Sequence, residues 1–271
     1  MSHIFLYKYL PMNAGSLRVL TEGTIKFSDP FSFNDPFDCQ PVVLPATVAG
    51  YSAKRPDIEA ALGHVALSPA KRHLANQRVN NRLGSYMREG GLLKDMMGSM
   101  NVSICCLSSD PSNILMWSHY AEFHSGFVVE FRVPLTKETS FLKEARLCPL
   151  PVRYTDDRPV LDVCDVDLEP AKLLDTVILS KARQWEYEKE HRVIRRGGSS
   201  EFPNYEGSML TSVIAGCKAD DERMAQLLSA VKAASLRIGR RVDLFQAEMD
   251  KRHYRVIIPG FRSKPAPPPL E

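Results

Sequence analysis

Short runs of hydrophobic residues, many of them β-branched or aromatic, recur along the chain and predict strands. Residues 4–9 read IFLYKY, residues 102–107 read VSICCL, and residues 127–133 read FVVEFRV. Such runs are typical of strands that are buried on one or both faces. The same criteria predict strands at residues 24–28, near 152, at 191–195, at 210–215, and as a closing pair within 241–260.

Other segments carry apolar residues at helical spacing. Residues 110–126 hold both a start signal, with Ser112 or Asn113 as the cap, and a stop signal at Gly126. Strands and helices mix without strict βαβ alternation, so the sequence predicts an α+β fold with a split or largely antiparallel mixed sheet and flanking helices. Further helices are predicted at 16–20, at 222–234, and from 171 onward with one apolar face of Leu174, Val177, Ile178, Lys181 and Trp185.

The composition restricts the class of protein. The 271 residues include 35 Lys and Arg and 32 Asp and Glu, and the net charge of +3 is too small to indicate nucleic-acid binding by itself. Residues 1–9 lack the features of a signal peptide, and no apolar run approaches the roughly 18 residues of a membrane span. We therefore expect a cytoplasmic protein without a membrane partner. Its six scattered cysteines, without a CxxC pair, favour reduced thiols and no metal site.

We expect a single α+β domain over residues 1–262 and a disordered, proline-rich tail over 263–271. Residues 41–100 differ from the rest, because they hold 8 Lys and Arg against 4 Asp and Glu, with apolar residues at helical spacing. This region is predicted to be a helical insertion. Its basic faces are either ordinary solvated surface or a surface that docks a protein or nucleic-acid acceptor.

One candidate binding surface is the helix predicted after Asn113. Its rings suit a flat, hydrogen-bonding ligand such as a nucleotide base, with Trp117, His119 and Tyr120 as the contacts, but aromatic stripes also build hydrophobic cores. Both interpretations stay open. The helical spacing gives two adjacent stripes, one of Asn113, Trp117, Tyr120 and His124 and one of Met116, His119 and Phe123.

A second candidate is the acidic run WEYEKEHR at residues 185–192. In an extended chain, Glu186, Glu188 and Glu190 would point to one face, followed by Arg192. A carboxylate pair there can hydrogen-bond sugar hydroxyls and stabilise a cationic, oxocarbenium-like transition state. The alternative is a charged edge strand or the frayed end of a helix.

The first predicted strand adds a third candidate. Tyr7 and Tyr9 share one of its faces, and Lys8 lies on the other. A lysine beside aromatic side chains can bind a phosphate while a ring stacks on a base. No glycine-rich phosphate loop and no G-x-S-x-G elbow occurs in the chain, which argues against Rossmann, P-loop and α/β-hydrolase enzymes.

The loop FSFNDPFD at residues 31–38 is a fourth candidate. Its prolines and turn-forming polar residues predict a rigid turn, which Phe31, Phe33 and Phe37 would pin to the core. Asn34 and Asp35 are either the polar tips of that turn or direct ligand contacts.

The order of these segments resembles a widespread bacterial family that is catalogued as a domain of unknown function. Its motifs are an LYKY strand, an FNDPFD loop, an MWSHYA helix followed by H-x-G, and a W-x-x-E-x-E-x-R segment. They correspond to residues 6–9, 28–38, 116–126 and 185–192, and the resemblance spans roughly residues 5 to 260.

The layout is also similar to that of ADP-ribosyltransferase-like domains, which implies NAD as the substrate. By that resemblance Glu190 binds a ribose hydroxyl and supports the oxocarbenium-like step, with Glu188 as its partner. Tyr7, Lys8 or Tyr9 stands where those enzymes place an arginine or histidine, and LYKY contains neither. Ser28 stands at the second-strand position.

Three functions follow as hypotheses. The first is an NAD-using transferase or glycohydrolase, in a toxin or anti-phage defence setting. The second is a catalytically silent module that binds a nucleotide or a protein through the same groove. The third is a nucleic-acid-acting enzyme that uses the basic region 41–100.

Overall fold

The protein is described here by a computed structural model. Its described residues are 3–44, 101–134, 147–162, 173–196 and 202–261, with further positions at 68–71, 73–75, 77–78, 81 and 98. The chain divides into two compact units. The first comprises Met1–Asp29, Ser103–Val152 and Gln184–Glu271, and the second comprises Pro30–Val102 and Arg153–Arg183. The expectation of a single domain stays a prediction.

Strands and helices within the described ranges follow the chain in this order. The strands are β1 (His3–Leu10), β2 (Val42–Leu44), β3 (Val102–Ser108), β4 (Phe127–Pro134), β5 (Pro149–Pro151), β6 (Arg153–Thr155), β7 (Val160–Asp162), β8 (Ser180–Ala182), β9 (Glu190–Arg196), β10 (Leu210–Ala215), β11 (Asp243–Gln246), β12 (Glu248–Met249) and β13 (Val256–Ile257). The α-helices are α1 (Ala14–Thr21), α2 (Ile114–Tyr120) and α3 (Asp221–Ile238). Short 3₁₀ turns cover Pro30–Ser32, Arg183–Glu188 and Gly207–Met209, and a π turn covers Leu174–Ile178.

Seven strands form one mixed sheet in the order β11-β10-β4-β1-β3-β9-β5. β4 pairs antiparallel with both β1 and β10, β5 pairs antiparallel with β9, and β10 pairs parallel with β11. Between β1 and β3, the described residues pair at one position, Tyr7↔Ser108. The predicted α+β class with a largely antiparallel mixed sheet is therefore confirmed.

The first strand separates two hydrophobic clusters because its side chains alternate between the faces of the sheet. Ile4 and Leu6 join the cluster that includes residues of α1 and α3. Tyr7 and Tyr9 join the second cluster, which includes the α2 residue Trp117. Helices thus contribute to the burial of both faces. Helix α3 begins after Asp220, whose side chain caps it, and ends at Gly239, which has the left-handed conformation at the C-cap.

In the second unit, short parallel strand pairs join distant parts of the chain. β2 pairs with β7, and β6 pairs with β8. The carboxylate of Asp38 lies 3.7 Å from the ammonium of Lys181, and both side chains are buried. Phe37 corrects one expectation, because it is 61% exposed instead of pinned to the core, and its ring lies 5.7 Å below the Arg158 guanidinium.

Three sequence predictions of secondary structure were wrong. Residues 24–28 do not form a strand and make isolated bridges, Thr24↔Asn204 and Ser28↔Ile104. Helix α2 ends at Tyr120 and not at Gly126, because the next residues turn the chain back on itself with a run of left-handed backbone. The helix predicted from residue 171 is reduced in the described residues to the π turn, since β8 pairs with β6 instead of continuing it.

Most of region 41–100, and the tail 263–271, lie outside the described residues. The described start of the region is the strand β2. The described positions between 69 and 81 are helical, and the helical insertion over residues 41–100 stays a prediction. No helix within the described ranges has both the length and the apolar composition that crossing a membrane requires.

Candidate functional site

Two buried carboxylates lie at the start of β9. Glu188 ends the 3₁₀ turn and Glu190 begins the strand, and their exposures are 3% and 4%. Lys189 between them has a left-handed backbone (φ 45°), so residues 186–190 are not one extended segment as the sequence pattern suggested. Glu186 is exposed in the 3₁₀ turn, so the predicted row of three carboxylates is a buried pair.

Glu190 is held by Arg192, which is fully buried. The guanidinium donates from Nε to Oε1 at 2.9 Å and from Nη2 to Oε2 at 3.1 Å. A buried carboxylate is stable only with such compensation, so this ion pair fixes both the charge and the orientation of Glu190. Burial, with the neighbouring Glu190 carboxylate, raises the pKa of the Cys106 thiol on β3.

Glu188 is joined to α2. The Tyr120 hydroxyl donates to its Oε1 at 2.7 Å, and the Ser108 hydroxyl donates to its backbone carbonyl at 2.6 Å. On the same helix, the N-cap residue Asn113 donates from its amide to the carbonyl of Tyr187 at 3.0 Å. The capping residue therefore serves two purposes, starting α2 and binding the glutamate segment to it.

Beside Glu188 lies an aromatic wall, formed by His119, Trp185 and Tyr187. The ring centroids of these residues lie 5.9–6.4 Å apart, and the His119 ring nitrogen Nδ1 lies 3.1 Å from the Tyr187 hydroxyl. His119 is exposed and the other two are half-buried. Only His119 was a candidate contact from sequence, although the run WEYEKEHR contained both missed aromatic residues.

Two candidate residues of the first strand contact β3 or the residues just after it through their side chains. Lys8 donates from Nζ to the Cys106 carbonyl at 2.8 Å, and Tyr9 donates to the Asp110 carbonyl at 2.7 Å. The Asp110 carboxylate in turn accepts from Lys189 at 2.9 Å. These bonds bring β1 next to the strand that neighbours the two glutamates.

Tyr7 belongs to a different buried cluster. Its hydroxyl lies 3.3 Å from Oε1 of Glu130, whose Oε2 accepts from the hydroxyls of Thr211 and Ser212 at 2.5 and 2.7 Å. Burial, with the negative charge of Glu130, raises the pKa of Tyr7 far above its usual range. A ligand contact by this phenol stays a prediction.

Two other candidates of the first unit have structural contacts in this conformation. Trp117 is fully buried in the second hydrophobic cluster and its indole N–H donates to the Pro111 carbonyl at 2.9 Å, as expected of a core residue. Ser28 exchanges both backbone hydrogen bonds with Ile104 at 2.9 Å. His124, assigned to the same stripe as Trp117, lies beyond the end of α2.

Asn34 and Asp35 lie in the second unit. Asn34 is exposed, while Asp35 is buried and its Oδ1 accepts from the Phe37 N–H at 2.9 Å. This bond within the loop supports the rigid-turn interpretation of FSFNDPFD. Direct ligand contact by either residue stays a prediction.

Within the described ranges, no group of three or more His, Cys, Asp and Glu side chains is placed to hold a metal ion. The comparisons with known proteins add one finding. The model of a family described as "Protein of unknown function (DUF2971)" matches residues 116–193, which include α2, Glu188 and Glu190. No curated protein and no solved structure matches the chain. The chain is thus similar, over this segment, to an uncharacterised domain family.

Proposed function

We propose that this protein cleaves the N-glycosidic bond of NAD and transfers the ADP-ribosyl group to an acceptor or to water. The observation that carries the proposal is the pair of buried carboxylates, Glu188 and Glu190, at the start of β9. An oxocarbenium-like ribosyl centre is stabilised by a carboxylate held in a low-dielectric setting, where charge interacts more strongly than in water.

Glu190 is assigned the electrostatic role. In the reaction, the bond between the ribose carbon and nicotinamide breaks, and nicotinamide leaves as a neutral molecule with the bonding electron pair. Positive charge then develops on the ribose. Because Arg192 already fixes the Glu190 carboxylate, no reorganisation is required as that charge appears.

Glu188 is assigned the activation of the water or hydroxyl that attacks the ribose. The Tyr120 hydroxyl fixes its carboxylate at 2.7 Å. Attack by water or by an acceptor hydroxyl forms the new bond to the ribose carbon and releases one proton, which Glu188 takes up and passes to solvent. The overall balance for water is NAD and water giving ADP-ribose, nicotinamide and a proton.

Binding is assigned to Lys8 and to the aromatic wall. The Lys8 ammonium is half-buried beside Cys106, and a ligand phosphate would add charge-assisted bonds to it. The exposed ring of His119, with Trp185 and Tyr187, offers a stacking surface for a planar base.

The test measures nicotinamide and ADP-ribose by mass spectrometry after incubation with NAD. Glu188→Gln keeps an acceptor for Tyr120, and it should lower nicotinamide release by about 10²–10⁴-fold, the usual contribution of a general base. Glu186→Gln is the matched control, since this carboxylate is exposed two residues away, and its release rate should equal that of the unmodified protein.

Glu190→Gln alone removes the carboxylate charge that Arg192 contacts at 2.9 and 3.1 Å, so a folding defect would hide its effect. The double variant Glu190→Gln with Arg192→Met removes both charges together. If it retains a cooperative melting transition and full nicotinamide release, the role of Glu190 is refuted.

Measurements of melting temperature and of oligonucleotide binding, made beside nicotinamide release, separate the alternatives. An increase in melting temperature with NAD but no nicotinamide release would identify a catalytically silent binding module. Neither stabilisation nor release would refute the whole proposal. Steeply salt-dependent binding of an oligonucleotide, without any response to NAD, would favour the nucleic-acid hypothesis.

A further inference from the structure

A basic cleft of about 520 Å³ lies in the first unit. Its lining includes neither glutamate of the proposed active site, nor Lys8, nor any member of the aromatic wall. Three segments that are distant in sequence build it. The lining residues are Ile114 of α2, His124, Cys217, Lys218, and residues 249–256, which connect and include parts of β12 and β13.

One wall is fixed by close backbone packing. Lys218 N–H donates to the His124 carbonyl at 2.9 Å, and Gly216 N–H donates to the Gly126 carbonyl at 2.8 Å. A Cβ on Gly216 would lie 2.1 Å from the His124 oxygen, so only glycine allows this approach. His124 itself has a left-handed backbone (φ 72°), a conformation that non-glycine residues rarely adopt.

The opposite wall is organised by Asp250. Its Oδ1 accepts the backbone N–H groups of Arg252 and His253 at 2.8 and 3.0 Å, and Oδ2 accepts from Nε of Arg255. These bonds lower the pKa of Asp250 to about 2, and the bond from the Arg252 N–H has the largest effect. Asp250 is the only carboxylate among the described lining residues, and it is thereby engaged within its own loop.

The lining therefore has an excess of positive charge. Among the described lining residues there are four Lys and Arg side chains and one carboxylate, that of Asp250, which pairs with Arg255. No carboxylate oxygen of the described residues lies within 4 Å of the ammonium or guanidinium of Lys218, Lys251 or Arg252. Apolar and aromatic groups complete the lining, including Met249 and the fully exposed ring of Tyr254. A volume of this order is typical of sites for small organic ligands.

We propose that this cleft is a binding site for a phosphorylated organic molecule of mononucleotide size. A phosphate or pyrophosphate group compensates the excess of cations through charge-assisted bonds, and Met249 and Tyr254 contact the organic part. A single carboxylate would neutralise only one of these cations, which is the reason for assigning a multiply charged group. The site is independent of the proposed NAD chemistry at Glu190.

Cys217 gives this proposal a built-in reporter. Its Sγ lies 3.8 Å from Nδ1 of His124, in the wall of the cleft. Burial raises the pKa of the Cys217 thiol and, with Lys218, lowers that of His124. Near neutral pH the pair is thus a thiol beside an uncharged imidazole, and alkylation proceeds through the small thiolate fraction.

The experiment measures iodoacetamide labelling of each cysteine-containing peptide by mass spectrometry, with ADP, inorganic pyrophosphate or no addition. ADP and pyrophosphate should both slow the labelling of Cys217, and ADP should do so at a lower concentration than pyrophosphate. Labelling of the exposed Cys148 should not change, which makes it an internal control. Lys218→Met and Arg252→Met should each raise the protecting concentration by roughly 10-fold, equivalent to about 1.4 kcal/mol.

Lys232→Met is the matched control, since Lys232 is exposed on α3 and outside the lining, and it should leave protection unchanged. Equal labelling of Cys217 with and without both probes overturns the proposal, as does undiminished protection in both Met variants. Stronger protection by a single-stranded oligonucleotide than by ADP would assign the cleft to nucleic acid instead. Glu190→Gln with Arg192→Met should keep full protection by ADP, so that failure of the NAD proposal and failure of this one are distinguishable.

Discussion

The ion pair of Glu190 and Arg192 gives the sharpest test of the structure. Both side chains are almost completely buried, at 4% and 0% exposure, and two N···O contacts of 2.9 and 3.1 Å join them. Removing one partner takes away the charge that the other contacts at 2.9 and 3.1 Å, and breaking a buried pair in this way typically costs about 3–5 kcal/mol. Arg192→Met and Glu190→Gln should each lower the free energy of unfolding by about this amount.

The double variant should behave differently. When both charges are removed together, neither residue loses an ion pair that the other could still make, and replacing a buried pair by neutral side chains is often close to neutral. The loss should therefore be smaller than the sum of the two single losses by several kcal/mol, an interaction energy well above the typical additivity error of about 0.3–0.5 kcal/mol.

Urea unfolding followed by tryptophan fluorescence measures this cycle, because the fully buried Trp117 becomes exposed on unfolding. Arg241→Met is the matched control. Its guanidinium contacts Asp243 at 2.9 Å, but the two side chains are 89% and 51% exposed, so the loss should stay within about 1 kcal/mol. Additive losses for Glu190 and Arg192, or single losses no larger than the control, would show that the pair is not buried as described.

Two further predictions concern the cluster around Glu130. Ser212→Ala removes a 2.7 Å hydrogen bond to the buried carboxylate and should lower the free energy of unfolding in urea by about 1.5–3 kcal/mol. Ser208→Ala is the control, because the Ser208 hydroxyl bonds an exposed carboxylate, and it should cost less than about 0.5 kcal/mol. Equal losses would contradict the assigned bond. Tyr7 has a raised pKa, so above pH 10, its ordinary value, the native state keeps a proton that the unfolded chain loses, and stability falls as pH rises. Tyr7→Phe should reduce that alkaline slope by about 1.4 kcal/mol per pH unit, and an unchanged slope would place the phenol in solvent.

Much of the sheet was predictable from sequence. The runs of β1, β3, β4 and β10 carry enough β-branched and aromatic residues to identify them without any partner. Helix α3 was predictable because its apolar spacing lies within the helix itself. Segment 173–190 was not, because its conformation depends on the pairing of β8 with β6 in a different part of the chain.

The candidate site shows the same division. The sequence identified Glu188 and Glu190 as a pair, but it suggested an extended row that included Glu186. The left-handed residue Lys189 and the 3₁₀ turn before it replace that row, and no local pattern predicted them. Arg192 was noted from sequence only as the residue that follows the glutamates, whereas its full burial follows from the neighbouring strands.

By itself, the sequence determined the α+β class, the main strands, the start of α2, and the segments that hold candidate chemistry. These features depend on interactions within a few residues, which leave a periodic pattern in the chain. Tertiary structure decided which groups meet: Tyr120 with Glu188, Lys8 with Cys106, and the three segments that build the basic cleft. The first two contacts join residues 68 and 98 positions apart, and the energy of all these contacts depends on burial and shape, for which the order of residues alone contains no local signal.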